Sequence, residues 1–284
     1  MKKKTSANLH VCVDKTPPGE ALLYSLYHAS VERPDNMDSI QDKLNESQVV
    51  RHALRTARIY RSIDALLELG VYGNPEALKI AVDVGKKWAN GRTLRVRFIG
   101  GSELLRLKVI RYAQEWERFV NLRFFFVETG PAEIRIAFTP NIGSWSYLGT
   151  DALLITNQNE ATMNFGWFNE QTKEEEFSRT IFHEFGHAIG CIHEHQHPKN
   201  KIPWNKEAAY TFYAQQGWSR AEVDQQVFAH YEKSSTNYSA YDKTSIMHYP
   251  IPPELLKNKK YAVGWNVWLS AVDIAFAKAS YPKS

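Results

Sequence analysis

Residues 180–198 read TIFHEFGHAIGCIHEHQHP and hold five of the chain's ten histidines. His183 and His187 stand four apart, so on a helix turning about 100° per residue they lie about 40° apart on one face and both rings can reach one point. The run EEEFSRTIFHEF before them carries Phe177, Ile181, Phe182 and Phe185, with no Gly or Pro until Gly186. That pattern predicts an amphipathic helix, and its acidic start at Glu174, Glu175 and Glu176 suits the positive end of a helix dipole. Gly190 falls where a helix end needs a left-handed residue, and a sharp turn there returns His193 toward the first two rings.

Three neutral imidazoles that leave one position open form the donor set of a catalytic zinc, whose open position takes water or substrate. Glu184, beside the first histidine, is then placed as general base for that water. Two other readings stand beside this one. One makes the stretch a polar helix end, with cations near the negative pole of the dipole. The other draws the third ligand from Glu207 in PWNKEAAY, twenty residues after His187. Pro198 and Pro203 interrupt that connection and the Gly190 turn would serve nothing in it, which leaves Glu207 as an acid at a surface helix start. His195 and His197 are less well spaced, and are expected to face solvent or to stand behind the ligands.

HEFGHAIGCIHE resembles the zinc motif of the astacins, a branch of the metzincin metallopeptidases, and TSIMHYP at 244–250 is similar to that family's Met-turn with its following tyrosine. GSWSYLG resembles the segment leading to the substrate-binding edge strand, and LSAVDIAFAKASYP the closing helix, so the likeness covers about residues 90–284. The resemblance implies that His183, His187 and His193 bind zinc, that Glu184 activates the water and that Met247 packs beneath the metal. It implies for Tyr249 a further zinc ligand that swings away to stabilise the oxyanion, and for Glu194 a contact with the N-terminus of a processed enzyme. Outside the motif, Met247 reads as an ordinary core residue and Tyr249 as an amphipathic surface aromatic; His248 has no role that the sequence assigns. The chain has only Cys12 and Cys191, and no cysteine beside Trp145. That departs from the disulfide-bearing secreted members and is closer to bacterial and fungal ones. The family's frequent preference for an acidic residue after the cleaved bond needs a basic group. This chain has no arginine after Arg220, only lysines such as Lys257, Lys259 and Lys260.

At 284 residues the chain allows one large domain or two modest ones. Its 43% hydrophobic and 23% charged residues are those of an ordinary globular protein. A formal charge of +4 without a clustered basic and aromatic face does not point to nucleic acid. No apolar run approaches the roughly eighteen residues of a membrane span, and MKKKTSANLHVCVDKTPP has no apolar h-region after its basic start. Two cysteines build no disulfide framework. The expected place is therefore the cytoplasm, or outside by an export route without a cleaved signal peptide. The sequence carries no signal of oligomeric state.

Apolar residues recur at helical spacing from Asp38 to Leu69 (Ile40, Leu44, Ile59, Ile63, Leu66, Leu67), and Gly70 offers a stop. Asn74 and Pro75 suit the N-cap and first residue of a helix PEALKIAVDVGKKWA, so residues 1–87 are expected to be a mostly helical region, a prosegment or accessory subdomain. From GRTLRVRFIG the pattern changes. Leu94, Val96 and Phe98 alternate as a strand, SELLRLKVIRYAQEWERFV reads as a helix capped by Ser102, and LRFFFV, EIRIAF and TMNFGWF read as strands. With the resemblance, the expected class is α+β: a metzincin-like two-lobed catalytic domain over 88–284, with a sheet-bearing upper lobe, a zinc-binding active-site helix and an irregular lower lobe. Zinc is expected at the floor of the cleft. GTDALLITNQ is expected as the exposed strand that lines it, where an extended substrate pairs with free backbone groups.

HVCVD holds a thiol, Cys12, and a carboxylate, Asp14. Prosegments of the resembled family and its relatives block zinc with such groups, so either is a candidate latch, and a small buried strand is the alternative. Lys86 and Lys87 read as a processing point or as a solvated helix face. The expected function is that of a zinc-dependent endopeptidase acting on protein or peptide substrates. The alternative is a non-catalytic, zinc-stabilised peptide-binding protein, which needs neither Glu184 nor Tyr249.

Overall fold

Alternating apolar residues make Thr93–Ile99 the first strand, β1, with Leu94 and Val96 fully buried. The computed structural model describes residues 10, 12, 15, 17, 21–60, 85–230 and 240–283. Its N-terminal part holds helices α1 (Ala21–Glu32), α2 (Gln41–Glu46) and α3 (Gln48–Tyr60), with a 3-10 turn at Pro34–Ile40. They close on a core of their own that includes Leu23, Leu26, Ile40, Val50 and Leu54. The expected helix from Asp38 is broken at Ser47, and Gly70, Asn74 and Pro75 lie outside the described residues.

After β1 come α4 (Glu103–Trp116), β2 (Arg123–Phe126), β3 (Ile134–Ala137), β4 (Ser144–Ser146) and β5 (Met163–Phe165). The sheet order is β2-β1-β3-β5-β4. β1 pairs in parallel with β2 and β3, β3 pairs in parallel with β5, and β4 alone runs antiparallel, against β5. A parallel pair needs a crossover, and α4 supplies it between β1 and β2. Helix α5 (Glu174–Ala188) packs on α4. Their shared core buries Trp88, Trp116, Phe177, Phe182 and Phe185 almost completely, each side chain contributing about 1.5–3 kcal/mol. Below α5 the chain is less regular: α6 (Lys206–Ala214), α7 (Arg220–Val223) and loops enclose a third core of Trp204, Tyr213, Val227 and Ile251. Helix α8 (Ala271–Ser280) closes the fold. This is the mixed α+β architecture expected.

Two local expectations are corrected. Gly149–Leu154, within GTDALLITNQ, is a 3-10 helix, and the edge strand is β4, five residues earlier. The turn at 149 is dictated by a tight crossing, because the Thr150 amide donates to Lys86 O at 3.0 Å. Beyond β4, Tyr147 pairs in parallel with Lys15 of the N-terminal segment.

Residues 85–88, expected at the end of a helix, are in neither helix nor strand. The Asn36 side chain reads the Lys87 backbone from both sides, its Nδ2 donating to Lys87 O at 2.8 Å and its Oδ1 accepting from Lys87 N at 2.9 Å. Lys86 is buried against Asp151 at 3.4 Å and against Ser25, while Lys87 pairs with Asp35 at 3.2 Å. Neither lysine is a solvated face, and a protease could not reach this bond without displacing Asn36. Asn36→Ala leaves buried backbone groups without partners. It is expected to cost about 1–3 kcal/mol, read as a lower midpoint of thermal unfolding; an unchanged midpoint would refute the clamp.

Candidate active site

Helix α5 ends as its sequence demands. Gly190 takes φ +94°, its amide donates to His187 O at 2.8 Å, and the Cys191 amide reaches back to Gly186 O at 2.9 Å. This paired closure is a Schellman turn, which tolerates Gly at the left-handed position far better than any residue with a Cβ. The turn swings His193 back beside the helix. The Nε2 atoms of His183, His187 and His193 then stand 3.1 Å apart in all three pairs. All three rings are buried.

Protons decide what this triangle can hold. His183 Nδ1 lies 2.8 Å from Ile246 O and His187 Nδ1 lies 2.8 Å from Cys191 O. A carbonyl only accepts, so both Nδ1 atoms carry hydrogen, and both Nε2 atoms present lone pairs to the centre. Burial first, and the neighbouring imidazoles second, hold His183 and His193 well below the ordinary histidine range, which keeps them neutral. Converging lone pairs repel unless a cation sits among them. Three nitrogens about 2.0–2.1 Å from a tetrahedral zinc are separated by about 3.3 Å, close to the spacing found. The donor set fits zinc.

Cys12 offers a fourth donor. Cys12 Sγ lies with the three imidazole nitrogens in one group whose ligand atoms are all within 4.8 Å of one another. The same thiol donates to Glu184 Oε2 at 3.3 Å, and the Cys12 carbonyl accepts from the Tyr249 hydroxyl. Asp14 lies outside the described residues. Tyr249 is buried between rings: His195 stacks on it at 4.0 Å between centroids and His193 meets it edge-on at 4.4 Å. His195 and His197 are buried rather than solvent-facing; His195 Nε2 donates to Gln226 O at 2.8 Å and His197 Nδ1 accepts from the Lys199 amide at 3.0 Å. His248 spans Tyr249 O at 2.6 Å and the Tyr241 hydroxyl at 2.9 Å, and burial brings it down to about 4, so it is neutral. Glu207 is exposed at the start of α6 and forked onto Arg220 at 2.6 and 3.2 Å, away from the histidines.

The segment that carries Met247 underpins the site. An added Cβ at Gly186 would come within 2.4 Å of Met247 Sδ, so glycine there lets the sulfur lie directly against α5. Glu194 N donates to Met247 O at 3.0 Å, tying the third-histidine turn to the same segment. The Glu194 carboxylate accepts from the Asp242 amide at 2.7 Å, and burial first, with Asp273 and Asp242 adding to it, pushes the carboxyl up to about 8.

Asp273, in the first turn of α8, receives Ser245 Oγ at 2.6 Å and the Ile246 amide at 2.8 Å while capping α8 through Ser270. It thereby holds Ile246, the residue whose carbonyl oxygen orients His183. Asp273 is not singled out by the sequence, where its one local signal is the S-x-x-D spacing of a helix cap; its reach to Ile246 is tertiary. Asp273→Ala is expected to weaken zinc binding about 10–100-fold, as loss of an outer partner does elsewhere. Ser270→Ala, which removes the cap alone, should leave affinity within about threefold in a chelator competition. Equal losses in both variants would assign Asp273 to helix stability only.

Residues 82–263 match the family model of the astacin peptidases. The chain belongs to the astacin family. A solved structure of myroilysin is 51% identical to it, with a TM-score of 0.68, and the match covers 70% of this chain and 97% of that one. A second myroilysin crystal structure, also 51% identical, matches with a TM-score of 0.56 over 70% and 86%. High choriolytic enzyme 1, a hatching enzyme zinc-protease from the medaka fish Oryzias latipes, is 19% identical, with a TM-score of 0.49 over 70% and 94%. No match was found among curated proteins. As an astacin-family peptidase the chain is a metalloendopeptidase, and its fold is that of the metzincin class.

Proposed function

We propose that the chain hydrolyses peptide bonds of protein substrates with zinc held by His183, His187 and His193, Glu184 as general base and Tyr249 as oxyanion donor. We further propose that residues 1–87 are a prosegment that Cys12 latches onto a catalytic domain spanning 88–284. The observation that carries both readings is the position of Cys12. Its sulfur stands among the three imidazole nitrogens, donates to Glu184 and leaves its own carbonyl on Tyr249. One residue engages every group the chemistry would need.

Zinc, when bound there, supplies positive charge that polarises a carbonyl and acidifies a water. The chain's own groups supply the rest. Glu184 is almost fully buried, with Oε2 turned toward the place where Cys12 Sγ stands. A water in that place gives its proton to Oε2, and Glu184 returns it to the leaving amine nitrogen. The Tyr249 hydroxyl now donates to a peptide carbonyl, that of Cys12. A substrate carbonyl oxygen in the same position gains a stronger hydrogen bond as negative charge builds on it. His195, stacked on Tyr249, limits where the phenol can swing.

The edge strand β4 offers backbone groups on its outer side, and Lys15 pairs with Tyr147 just past its end. An extended substrate would dock there by main-chain hydrogen bonds after the prosegment leaves. A thiolate is a strong zinc ligand, which suits Cys12 to the latch; with metal bound, the proton shared with Glu184 would sit on the carboxyl, which would then donate to the sulfur. Metal removal tests the peptidase reading: stripping with a chelator abolishes casein cleavage by a chain relieved of Cys12, and one equivalent of zinc restores it. Cleavage indifferent to the chelator would overturn the reading.

A further inference from the structure

We propose that Trp167, Arg179 and Trp265 form a specificity slot beside the metal site, and that it takes a flat aromatic or imidazole side chain of the substrate; this rests on the peptidase reading above. The slot is seen with a side chain in it. His10, two residues before Cys12, stacks on Trp167 with ring centroids 4.7 Å apart and planes 15° from parallel. Its carbonyl accepts from Arg179 Nη2 at 3.4 Å, and its Nδ1 lies 3.9 Å from Glu176 Oε1. The three slot residues line the same cavity as Cys12, His183 and Glu184. A peptide whose backbone lies at the metal site therefore places a nearby side chain here.

The choice between an acidic and an aromatic occupant turns on Arg179. Its Nε donates to Glu176 Oε2 at 3.0 Å, its Nη2 bonds Glu176 Oε1, and its guanidinium lies 3.9 Å from the Trp265 ring centroid. The cation is neutralised by its own helix neighbour and sits over an indole. What remains for a ligand is planar surface, which favours another plane over a carboxylate. An acidic side chain would meet Glu176 as well as Arg179. Trp167 Nε1 is buried with no acceptor among the described residues, so this wall also keeps an unused donor. Trp265 is 43% exposed, which places it at the mouth, where a side chain enters from solvent.

The test begins in the full chain, where His10 itself reports on the slot. Position 10 is replaced in turn by Phe, Trp, Ala and Asp, and the rate at which Cys12 reacts with a thiol reagent is read. The His10→Phe and His10→Trp chains are expected to protect Cys12 at least as well as the parent. His10→Ala and His10→Asp should react about tenfold faster. In a Trp167→Ala background the differences should collapse. Trp265→Ala, at the exposed rim, repeats the test with little risk to folding. A flat series, or His10→Asp protecting best, would overturn the slot.

The second arm is cleavage of a mixed peptide library by the Cys12→Ala chain, where aromatic residues should be enriched at one position near the cut and lose that enrichment in Trp167→Ala. Cleavage without such enrichment overturns the slot's part in specificity. An uncut library beside an ordered thiol series leaves the slot standing and faults either the peptidase reading or the opening of the cleft by Cys12→Ala; cleavage by a chain that also lacks residues 1–87 separates the two.

Discussion

Glu184→Ala, made in a chain already relieved of Cys12, lowers kcat/KM for peptide cleavage by about 10³–10⁴-fold while the protein still takes up zinc. The expectation follows from position. Glu184 lies on α5 next to His183, almost fully buried, with its carboxylate at hydrogen-bond distance from the atom that fills the site. Positioned general bases are worth about 10²–10⁴-fold, and the upper part of that range applies where one carboxylate both takes and returns the proton. Glu184 is not among the imidazole and thiol donors that could hold the metal, so removing it should leave the metal site whole. Parallel measurement of zinc content and of kcat/KM separates the two. A variant that keeps both its zinc and full cleavage would remove Glu184 from the chemistry; one that loses zinc would make it a structural group.

The second large effect is on latency. The intact chain is expected to be nearly silent toward casein, and Cys12→Ala to raise the rate at least about a hundredfold without removal of the N-terminal helices. Cys12 meets the imidazoles, Glu184 and Tyr249 at the site. The substitution removes the sulfur's place among the imidazoles and its bond to Glu184, and keeps the backbone bond to Tyr249. The hydrogen bond kept at residue 12 is neutral and worth about 0.5–1.5 kcal/mol, and beside it the His10 stack on Trp167 and the Lys15–Tyr147 pair hold the segment, which a substrate in excess should displace. If the folded, zinc-loaded Cys12→Ala chain stays as silent as its parent, the helical region, clamped by Asn36 and by the buried Lys86, Asp151 and Ser25 group, blocks the cleft by itself.

What the sequence reveals about this molecule divides along the range of the interactions involved. The amphipathic helix up to His187 and its glycine stop are local: period, dipole and left-handed turn are written in neighbouring residues, and the helix end at Ala188 follows from them. Strands β1, β2, β3 and β5 announce themselves by alternation or by apolar runs for the same reason. The irregular course of 85–88 is not legible, because the helical pattern there is overruled by Asn36, fifty-one positions before Lys87 in the chain. Nor is the 3-10 helix at Gly149–Leu154, where an apolar run that reads as a strand is bent around the Lys86 carbonyl. The buried state of His195 escapes a spacing argument since its partner is a carbonyl of residue 226. His10 carries no motif at all; only the fold puts it on Trp167.

The account stands on Cys12 and the three imidazoles sharing one metal, and X-ray absorption at the zinc edge of the intact chain tests that directly. The expected spectrum has one sulfur at about 2.3 Å and three nitrogens at about 2.0–2.1 Å, and in Cys12→Ala the sulfur gives way to oxygen with the nitrogens unchanged. A zinc shell without sulfur in the intact chain, or one that survives replacement of His193, would contradict it.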